Sequence, residues 1–304
     1  MSVIVEDLTK IYGEQSAVDH ISFAIKPGQI TGFLGPNGAG KSTTMKMLTG
    51  YIMPSSGSAT VHGIDVVKDS LSAKKLIGYL PENNPLYTEM YIKEYLRFIA
   101  GVTSYSGNVS QRINQLIELT GLGVEQHKKI GMLSKGYRQR VGIAQALFHD
   151  PKVLILDEPT SGLDPNQLVD IRALIADLGK EKTVILSTHI MQEVQALCQY
   201  LIIINKGKIV ASDNTQVLLS QQNQSTAYQV QFKQKTEQKI LLAINGLSTA
   251  ESNNGTDWII TAAKGVELRD RLFEWAVSQN NPIYMLNPQQ KNLESVFQLL
   301  TKTN

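Results

Sequence analysis

A glycine-rich run at residues 35–43 constrains this chain more than any other feature. It reads Gly-Pro-Asn-Gly-Ala-Gly-Lys-Ser-Thr and fits the phosphate-binding pattern G-x-x-x-x-G-K-[ST]. An apolar, strand-like run at residues 30–34 precedes it, and a helix-like run follows from residue 43. Glycine tolerates positive φ, so such a loop can turn successive N–H groups toward an anion. The run therefore predicts a strand, a loop and a helix that bind the phosphates of ATP or GTP.

The residues of this run have separate expected roles. The Lys41 ammonium is expected to contact the β- and γ-phosphates, and the Ser42 hydroxyl is expected to hold Mg²⁺. The following helix would direct its positive dipole end at the same anion. The other predicted nucleotide contacts are Gly35, Pro36, Asn37, Gly38, Ala39, Gly40 and Thr43.

Composition excludes several classes of protein. The 304 residues are 42% hydrophobic and 18% charged, with a net charge of +2, which is too mild to suggest nucleic-acid binding. A single cysteine, Cys198, excludes an intramolecular disulfide and is expected to be a small buried side chain. The chain does not begin like a signal peptide, and no apolar run approaches the roughly 20 residues of a membrane helix. Work at a membrane would need another polypeptide to span it.

Hydrophobic patterning predicts an α/β fold. Residues 3–5 and 21–25 alternate like antiparallel strands, and residues 91–122 have helical periodicity. Continuous apolar runs at 153–156, 183–187 and 201–204 are typical of parallel strands covered on both faces. An amphipathic helix at 166–178 would connect two of them as a βαβ crossover. These elements predict a P-loop NTPase core with an antiparallel β subdomain and a helical subdomain at about 86–148.

Near residue 220 the composition becomes polar and aperiodic, which predicts a linker at 219–227 between a domain at 1–218 and another at 228–304. Beyond the linker, strands are expected at 228–232, 258–261 and 283–286. Helices are expected at 236–244, 266–278 and 293–301. This order predicts a small α+β accessory domain. It has no cluster of catalytic side chains, so a regulatory or docking role is expected.

Two further segments carry candidate chemistry. Asp157 and Glu158 follow a buried strand, at the end where α/β sheets bind ligands. Asp157 is placed to orient Mg²⁺ through water, and Glu158 to accept a proton from an attacking water. At residues 133–139, Ser134 is suited to cap the helix that follows. Taken alone, that segment indicates a cap and nothing more.

Taken together, these motifs resemble the ATP-binding cassette (ABC) family of ATPases. Residues 35–43 are similar to its Walker A motif, 133–139 to its signature motif, 153–158 to Walker B and 161–164 to the D-loop. His189 is similar to the switch histidine, and Tyr12 to the aromatic residue that stacks on adenine. The resemblance covers residues 1 to about 218.

The resemblance implies ATP as the nucleotide and a head-to-tail dimer, in which Ser134 and Gly136 of one subunit cover ATP on the other. It implies that His189 contacts the γ-phosphate. It also implies an integral membrane permease as partner and a peripheral position on the cytoplasmic face of the inner membrane. Within the family, the chain is most similar to ABC-2 exporter cassettes. Residues 80–87 and 192–194 resemble those of gliding-motility exporters, and 293–297 resemble the extra domain of that group.

The chain departs from the family pattern at two places. Lys135-Gly136-Tyr137 stands where Gly-Gly-Gln is usual, and Glu82 stands where a glutamine is usual. Lys135 either adds positive charge beside the γ-phosphate or is solvated. Glu82 would add negative charge near the metal.

Three other functions compete with an exporter subunit, namely a cassette ATPase that acts on DNA or ribosomes, a P-loop kinase, and a scaffold. A cassette ATPase acting on DNA would need long coiled-coil arms, but only about ninety residues separate the P-loop from the signature, at roughly 1.5 Å per helical residue. Ribosome-acting cassettes carry two copies in one chain, and one copy is visible here. A P-loop kinase would leave residues 133–139 and His189 unexplained. A scaffold that does not hydrolyse ATP is disfavoured by Glu158.

Overall fold

The computed structural model describes residues 1–220, 227–263 and 265–289, together with Phe297. The chain forms two compact units, Met1–Thr215 and Gln216–Asn304. All the site residues predicted from the sequence belong to the first unit. Among the described residues, no helix combines the length and the apolar character needed to cross a bilayer.

The first unit contains ten strands and seven helices within the described chain. The strands are β1 (Val3–Tyr12), β2 (Gln15–Ile25), β3 (Ile30–Leu34), β4 (Ser56–Val61), β5 (Ile64–Asp65), β6 (Ile77–Leu80), β7 (Val153–Asp157), β8 (Thr183–Thr188), β9 (Tyr200–Asn205) and β10 (Lys208–Asn214). The helices are α1 (Lys41–Leu48), α2 (Ser70–Leu76), α3 (Ile92–Val102), α4 (Val109–Leu119), α5 (Lys135–Ala146), α6 (Pro165–Leu178) and α7 (Met191–Leu197).

The central sheet has the strand order β10-β9-β3-β8-β7-β6. Its strands are parallel except for β10, which pairs antiparallel with β9. Every residue of β3, β7 and β8 is buried, which explains their continuous apolar sequences. Leu34 pairs with Thr188, and Asp157 pairs with Ser187. The loops that follow β3, β7 and β8 therefore leave the sheet at the same edge.

A second, antiparallel sheet has the order β2-β1-β4-β5. Its strand β1 extends beyond the predicted 3–5. Against β2, it changes register after Val5, after Leu8 and after Lys10. Asp7 has a positive φ of 52° in this stretch. Such irregularities break the two-residue alternation of side chains on which the prediction depends. A shared apolar core joins this sheet to α1 and the central sheet.

The predicted helical region 91–122 divides into α3 and α4. Short 3₁₀ turns at Gly123–Glu125 and Ile130–Met132 then lead to α5. The predicted cap on α5 is confirmed, since Ser134 Oγ accepts a hydrogen bond from the Tyr137 N–H at 3.3 Å. Burial raises the pKa of the Cys198 thiol to about 12, as expected for a structural cysteine.

In its described residues between 227 and 289, the second unit is a four-stranded antiparallel sheet with two helices. Its elements are β11 (Ala227–Phe232), α9 (Gln238–Leu242), β12 (Leu247–Ser252), β13 (Asp257–Ala262), α10 (Arg269–Ser278) and β14 (Ile283–Gln289), in the sheet order β12-β13-β11-β14. The polar sequence of β12 gave no strand signal, because only Ala250 of this strand is buried. The predicted helix at 293–301 lies outside the described residues, except for Phe297.

The junction between the units differs in detail from the predicted linker at 219–227. Helix α8 (Thr215–Ser220) runs into its start, and Ala227 at its end already belongs to β11. Polar composition alone does not distinguish a short helix such as α8 from a linker, since six residues are too few to show helical periodicity. Residues 221–226 lie outside the described residues.

Candidate nucleotide-binding site

The glycine-rich run forms a tight loop between β3 and α1. Gly38 and Gly40 have positive φ values of 79° and 106°. A Cβ at Gly40 would lie 2.5 Å from the Ala17 carbonyl oxygen, and one at Gly35 would lie 2.5 Å from that of Ile204. Glycine is therefore required at both positions. Helix α1 begins after Gly40 without a side-chain cap, which leaves N–H groups of its first turn for an anion.

This loop borders a cavity of about 540 Å³. Nine of the predicted site residues line it, namely Asn37, Gly38, Gly40, Lys41, Ser42, Thr43, Glu82, Glu158 and His189. The other lining residues are Gln15, Ser16, Ala17, Ser161, Lys206 and Gly207. Residues far apart in sequence thus meet at the edge of the sheet where the loops after β3, β7 and β8 emerge.

Lys41 is the buried cation of this cavity. Its Nζ donates to the carbonyl oxygens of Gly35 at 2.9 Å and Pro36 at 3.3 Å. It also lies 3.3 Å from Glu158 Oε1, and the two side chains are only 6% and 7% exposed. The ammonium is therefore held beside the loop that is predicted to bind phosphate.

Glu158 lines the cavity and has an unusual backbone conformation. It follows β7 with a positive φ of 50°, a conformation that costs a non-glycine residue of order 1 kcal/mol or more. Its N–H donates to the carbonyl and hydroxyl oxygens of Ser187, both at 3.1 Å. Its Oε2 lies 2.9 Å from His189 Nδ1. One carboxylate thus contacts both Lys41 and His189.

Asp157 lies beneath the loop with its carboxylate buried. Its Oδ1 accepts hydrogen bonds from Ser42 Oγ at 3.1 Å and Ser187 Oγ at 2.5 Å. Glu82, in the loop after β6, lines the same cavity and is exposed. A hydroxyl and carboxylates beside an open cavity are the oxygen ligands that Mg²⁺ uses together with water and substrate phosphates. These residues fit a Mg²⁺ ion.

Several predicted residues do not line the cavity. Tyr12, at the end of β1, is 51% exposed, and Lys10 Nζ lies 5.1 Å from the centre of its ring. Ser134 and Gly136, at the start of α5, lie against Gln167 of α6. Gln167 Nε2 donates to Ser134 Oγ at 3.3 Å, and a Cβ at Gly136 would lie 2.4 Å from Gln167 Oε1.

Some residues of the site were not predicted from the sequence. Ser187 contacts both Asp157 and the backbone of Glu158. Lys206 adds positive charge to the cavity lining, from the turn after β9. That position was open to prediction, because β9 is parallel to β3 and ends at the same edge. The positions of Gln15 and Ser16 could not be predicted in this way, since these residues belong to β2 of the antiparallel sheet.

A phosphate-binding loop and a carboxylate pair at the carboxyl edge of one parallel sheet define the class of P-loop NTPases. The sequence profile described as "ABC transporter" matches residues 18–161. The chain is 35% identical over 302 residues to the uncharacterized ABC transporter ATP-binding protein YhcH of Bacillus subtilis, with 97% of this chain and 94% of the relative covered. It is 34% identical to the linearmycin resistance ATP-binding protein LnrL of the same species, with 97% of each covered.

The bacitracin transport ATP-binding protein BcrA of Bacillus licheniformis is 41% identical over 69% of each chain. Among solved structures, the ATP-binding subunit of an ABC transporter matches with a TM-score of 0.66 and 27% identity, covering 73% of this chain and 93% of that one. The chain belongs to the ATP-binding subunits of ABC transporters, and it is an ATPase. The predicted fold class is confirmed.

Proposed function

We propose that this chain is the ATP-hydrolysing subunit of an ABC-2-type exporter. Two copies close head to tail over ATP, and this closure drives a separate integral membrane permease from the cytoplasmic face of the inner membrane. The observation that carries the proposal is the position of Glu158, whose carboxylate lies between Lys41 and His189 at the P-loop cavity. We propose that this carboxylate is the base and that the Lys41 ammonium beside it is the cation that binds phosphate.

The cavity residues divide the chemistry among them. Lys41 leaves Glu158 for the incoming γ-phosphate, because the more highly charged anion competes for the same ammonium. Glu158 then accepts a proton from the attacking water, and His189 contacts the γ-phosphate. Ser42, Asp157 and Glu82 would hold Mg²⁺ directly or through water. When bound, the ion would supply positive charge that stabilises the phosphate oxygens as their negative charge develops.

The start of α5 supports the closed dimer. Ser134 Oγ accepts hydrogen bonds from Tyr137 N–H and from Gln167 Nε2, both at 3.3 Å. These two bonds occupy both lone pairs, so the hydroxyl proton is directed to an outside acceptor. Ser134 and Gly136 do not line the cavity of their own chain. We infer that they meet the γ-phosphate bound to a second copy.

The names of two relatives support an exporter, since one is a bacitracin transport and the other a linearmycin resistance ATP-binding protein. The similarity of residues 80–87 and 192–194 to gliding-motility cassettes supports a narrower assignment. Under it, loss of this protein in its host would stop surface translocation. Normal translocation without it would rule out that assignment and leave the exporter proposal intact.

Purification of the tagged full chain from host membranes tests the proposal. We expect an integral membrane protein to co-purify and to change the ATPase rate of the complex. Recovery of the chain with ribosomes or DNA instead, with no membrane protein, would support the competing assignment to a cassette that acts on nucleic acid or ribosomes.

Tyr12 is proposed to stack on the adenine ring, since half of its surface is exposed. Tyr12→Ala should weaken ATP binding by about 1–3 kcal/mol, the usual contribution of an aromatic ring to base stacking. Tyr12→Phe should bind ATP like the parent, because stacking does not need the hydroxyl. Titration of the three proteins with a fluorescent ATP analogue makes the comparison. Equal affinity for Tyr12→Ala and the parent would exclude Tyr12 from the site.

We propose that the second unit has a regulatory or docking role. A chain truncated after residue 220 should fold, since the first unit has its own apolar core. It should bind ATP with the parent's affinity, because every lining residue of the cavity lies before residue 216. Thermal unfolding and ATP titration measure both properties. An insoluble product, or one that does not bind ATP, would show that the two units form one structural domain.

A further inference from the structure

Glu193 of α7 is a buried carboxylate that the proposed hydrolysis does not use. Its exposed fraction is 0%. A glutamate is rarely buried to this extent, because removal of its carboxylate from water is costly unless hydrogen bonds replace the lost hydration. The contacts of this side chain therefore indicate what it stabilises.

Both oxygens of Glu193 accept hydrogen bonds from threonine hydroxyls. Thr160 Oγ1 donates to Oε1 in a close contact, and Thr188 Oγ1 donates to Oε2 at 2.5 Å. Thr160 and Thr188 are themselves buried, at 2% and 0% exposed. Thr188 Oγ1 also accepts a hydrogen bond from the Ile190 N–H at 3.0 Å. The carboxylate is thus the centre of a closed buried network.

This network joins the two loops that carry the proposed catalytic side chains. Thr160 lies in the loop after β7, which begins with Glu158, and the Ser161 N–H donates to the Glu158 carbonyl oxygen at 3.1 Å. Thr188 ends β8 immediately before His189. Because Thr188 and Ile190 both belong to the network, the backbone is held on each side of His189.

We propose that Glu193 is a positioning residue, which fixes the loop of Glu158 against the loop of His189 and so maintains their 2.9 Å contact. An ionised carboxylate suits this role because each of its oxygens can accept from a hydroxyl. A glutamine has only one acceptor oxygen. One threonine hydroxyl would then have to turn and accept from the amide, with its own proton left unpaired. This inference rests on the proposed hydrolytic function of the cavity.

Steady-state ATP hydrolysis by the full-length chain tests the proposal. Glu193→Gln should lower kcat by roughly tenfold, as small displacements of catalytic groups do, while KM for ATP changes little because the P-loop is not involved. The matched control is Glu118→Gln, an exposed glutamate on α4, which should behave like the parent. If Glu193 had a purely structural role, Glu193→Gln would lower the thermal stability. It would not give the lower kcat with unchanged KM that the positioning role predicts.

Two further variants decide the case if Glu193→Gln does not fold. Thr188→Val removes the hydroxyl at nearly constant volume and should lower kcat. Thr188→Ser keeps the hydroxyl and should retain most of the rate. In NMR spectra of these variants, the ring signals of His189 should shift for Thr188→Val and remain in place for Thr188→Ser. An unchanged kcat and unchanged His189 signals in Thr188→Val would overturn the proposal.

Glu158→Gln distinguishes failure of the positioning role of Glu193 from failure of the proposed function. If the parent hydrolyses ATP and Glu158→Gln does not, the hydrolytic site stands whatever Glu193→Gln does. A parental kcat in Glu193→Gln then overturns only the positioning role. If the parent itself does not hydrolyse ATP, the proposed function fails first.

Discussion

Glu158→Gln is expected to lower the rate of ATP hydrolysis by roughly 10²–10⁴-fold, the usual effect of losing a general base. The amide has the same shape and can still hydrogen bond to His189, but it cannot accept the proton of water. The exchange also removes the carboxylate that lies 3.3 Å from Lys41 Nζ. Since this carboxylate competes with phosphate for the ammonium, ATP binding should be equal to or tighter than that of the parent.

Phosphate release at saturating ATP, together with titration of a fluorescent ATP analogue, measures both effects. Glu118→Gln serves as the control for a charge change at the surface. A hydrolysis rate near the parent's would remove Glu158 from the role of base. Weaker ATP binding would contradict the competition between Glu158 and phosphate for Lys41.

Lys41→Ala is expected to weaken ATP binding by roughly 10- to 100-fold, because a hydrogen bond to a charged group is worth about 1.5–3 kcal/mol and 1.4 kcal/mol is a factor of ten. Hydrolysis at moderate ATP concentration should fall with it. Lys46→Ala is the matched control, since Lys46 belongs to the same helix but lies in its last turn. Isothermal titration with ATP measures the affinities.

Folding must be checked in this variant. In the parent, Lys41 is the cation beside the buried carboxylate of Glu158, and its loss leaves that charge without its ammonium partner. The double variant Lys41→Ala with Glu158→Gln removes both charges. If it folds like the parent and still binds ATP weakly, the loss of affinity belongs to Lys41. ATP binding of the parent's strength would exclude Lys41 from the phosphate site.

The core of the fold was predictable because its signals are local. The strands at 30–34, 153–156, 183–187 and 201–204 are continuous apolar runs, and all of them form part of the central parallel sheet. The rule that ligands bind at the carboxyl ends of such strands then placed Lys41 near Glu158. Local capping chemistry also identified the start of α5 at Ser134.

Other parts of the site depend on contacts that no local pattern encodes. Ser187 and Glu193 are a strand serine and a helix glutamate by sequence, and only the pairing of β7 with β8 brings them to Asp157 and Thr160. Burial of the Glu193 carboxylate cannot be read from its neighbours in the chain. The register changes in β1 likewise depend on its partner strand.

The structure gives a position for each of the two departures from the family pattern, Lys135 and Glu82. A Cβ at Gly162 would lie 2.4 Å from Lys135 Nζ, so the ammonium lies against the D-loop of its own chain. Gly162 has a positive φ of 67°, and a side chain there would be strained as well as in conflict with Lys135. Glu82 lines the cavity, which keeps it in the proposed role beside Mg²⁺.

The proposed function requires two copies of this chain to close over ATP. Light scattering of Glu158→Gln, with and without ATP and Mg²⁺, measures this dimerisation. We expect the 33.6 kDa monomer without nucleotide, a species of twice that mass with ATP, and no such dimer when Ser134→Arg is added. A monomer that binds ATP and never dimerises would rule out the proposed dimer and the mode of action that depends on it.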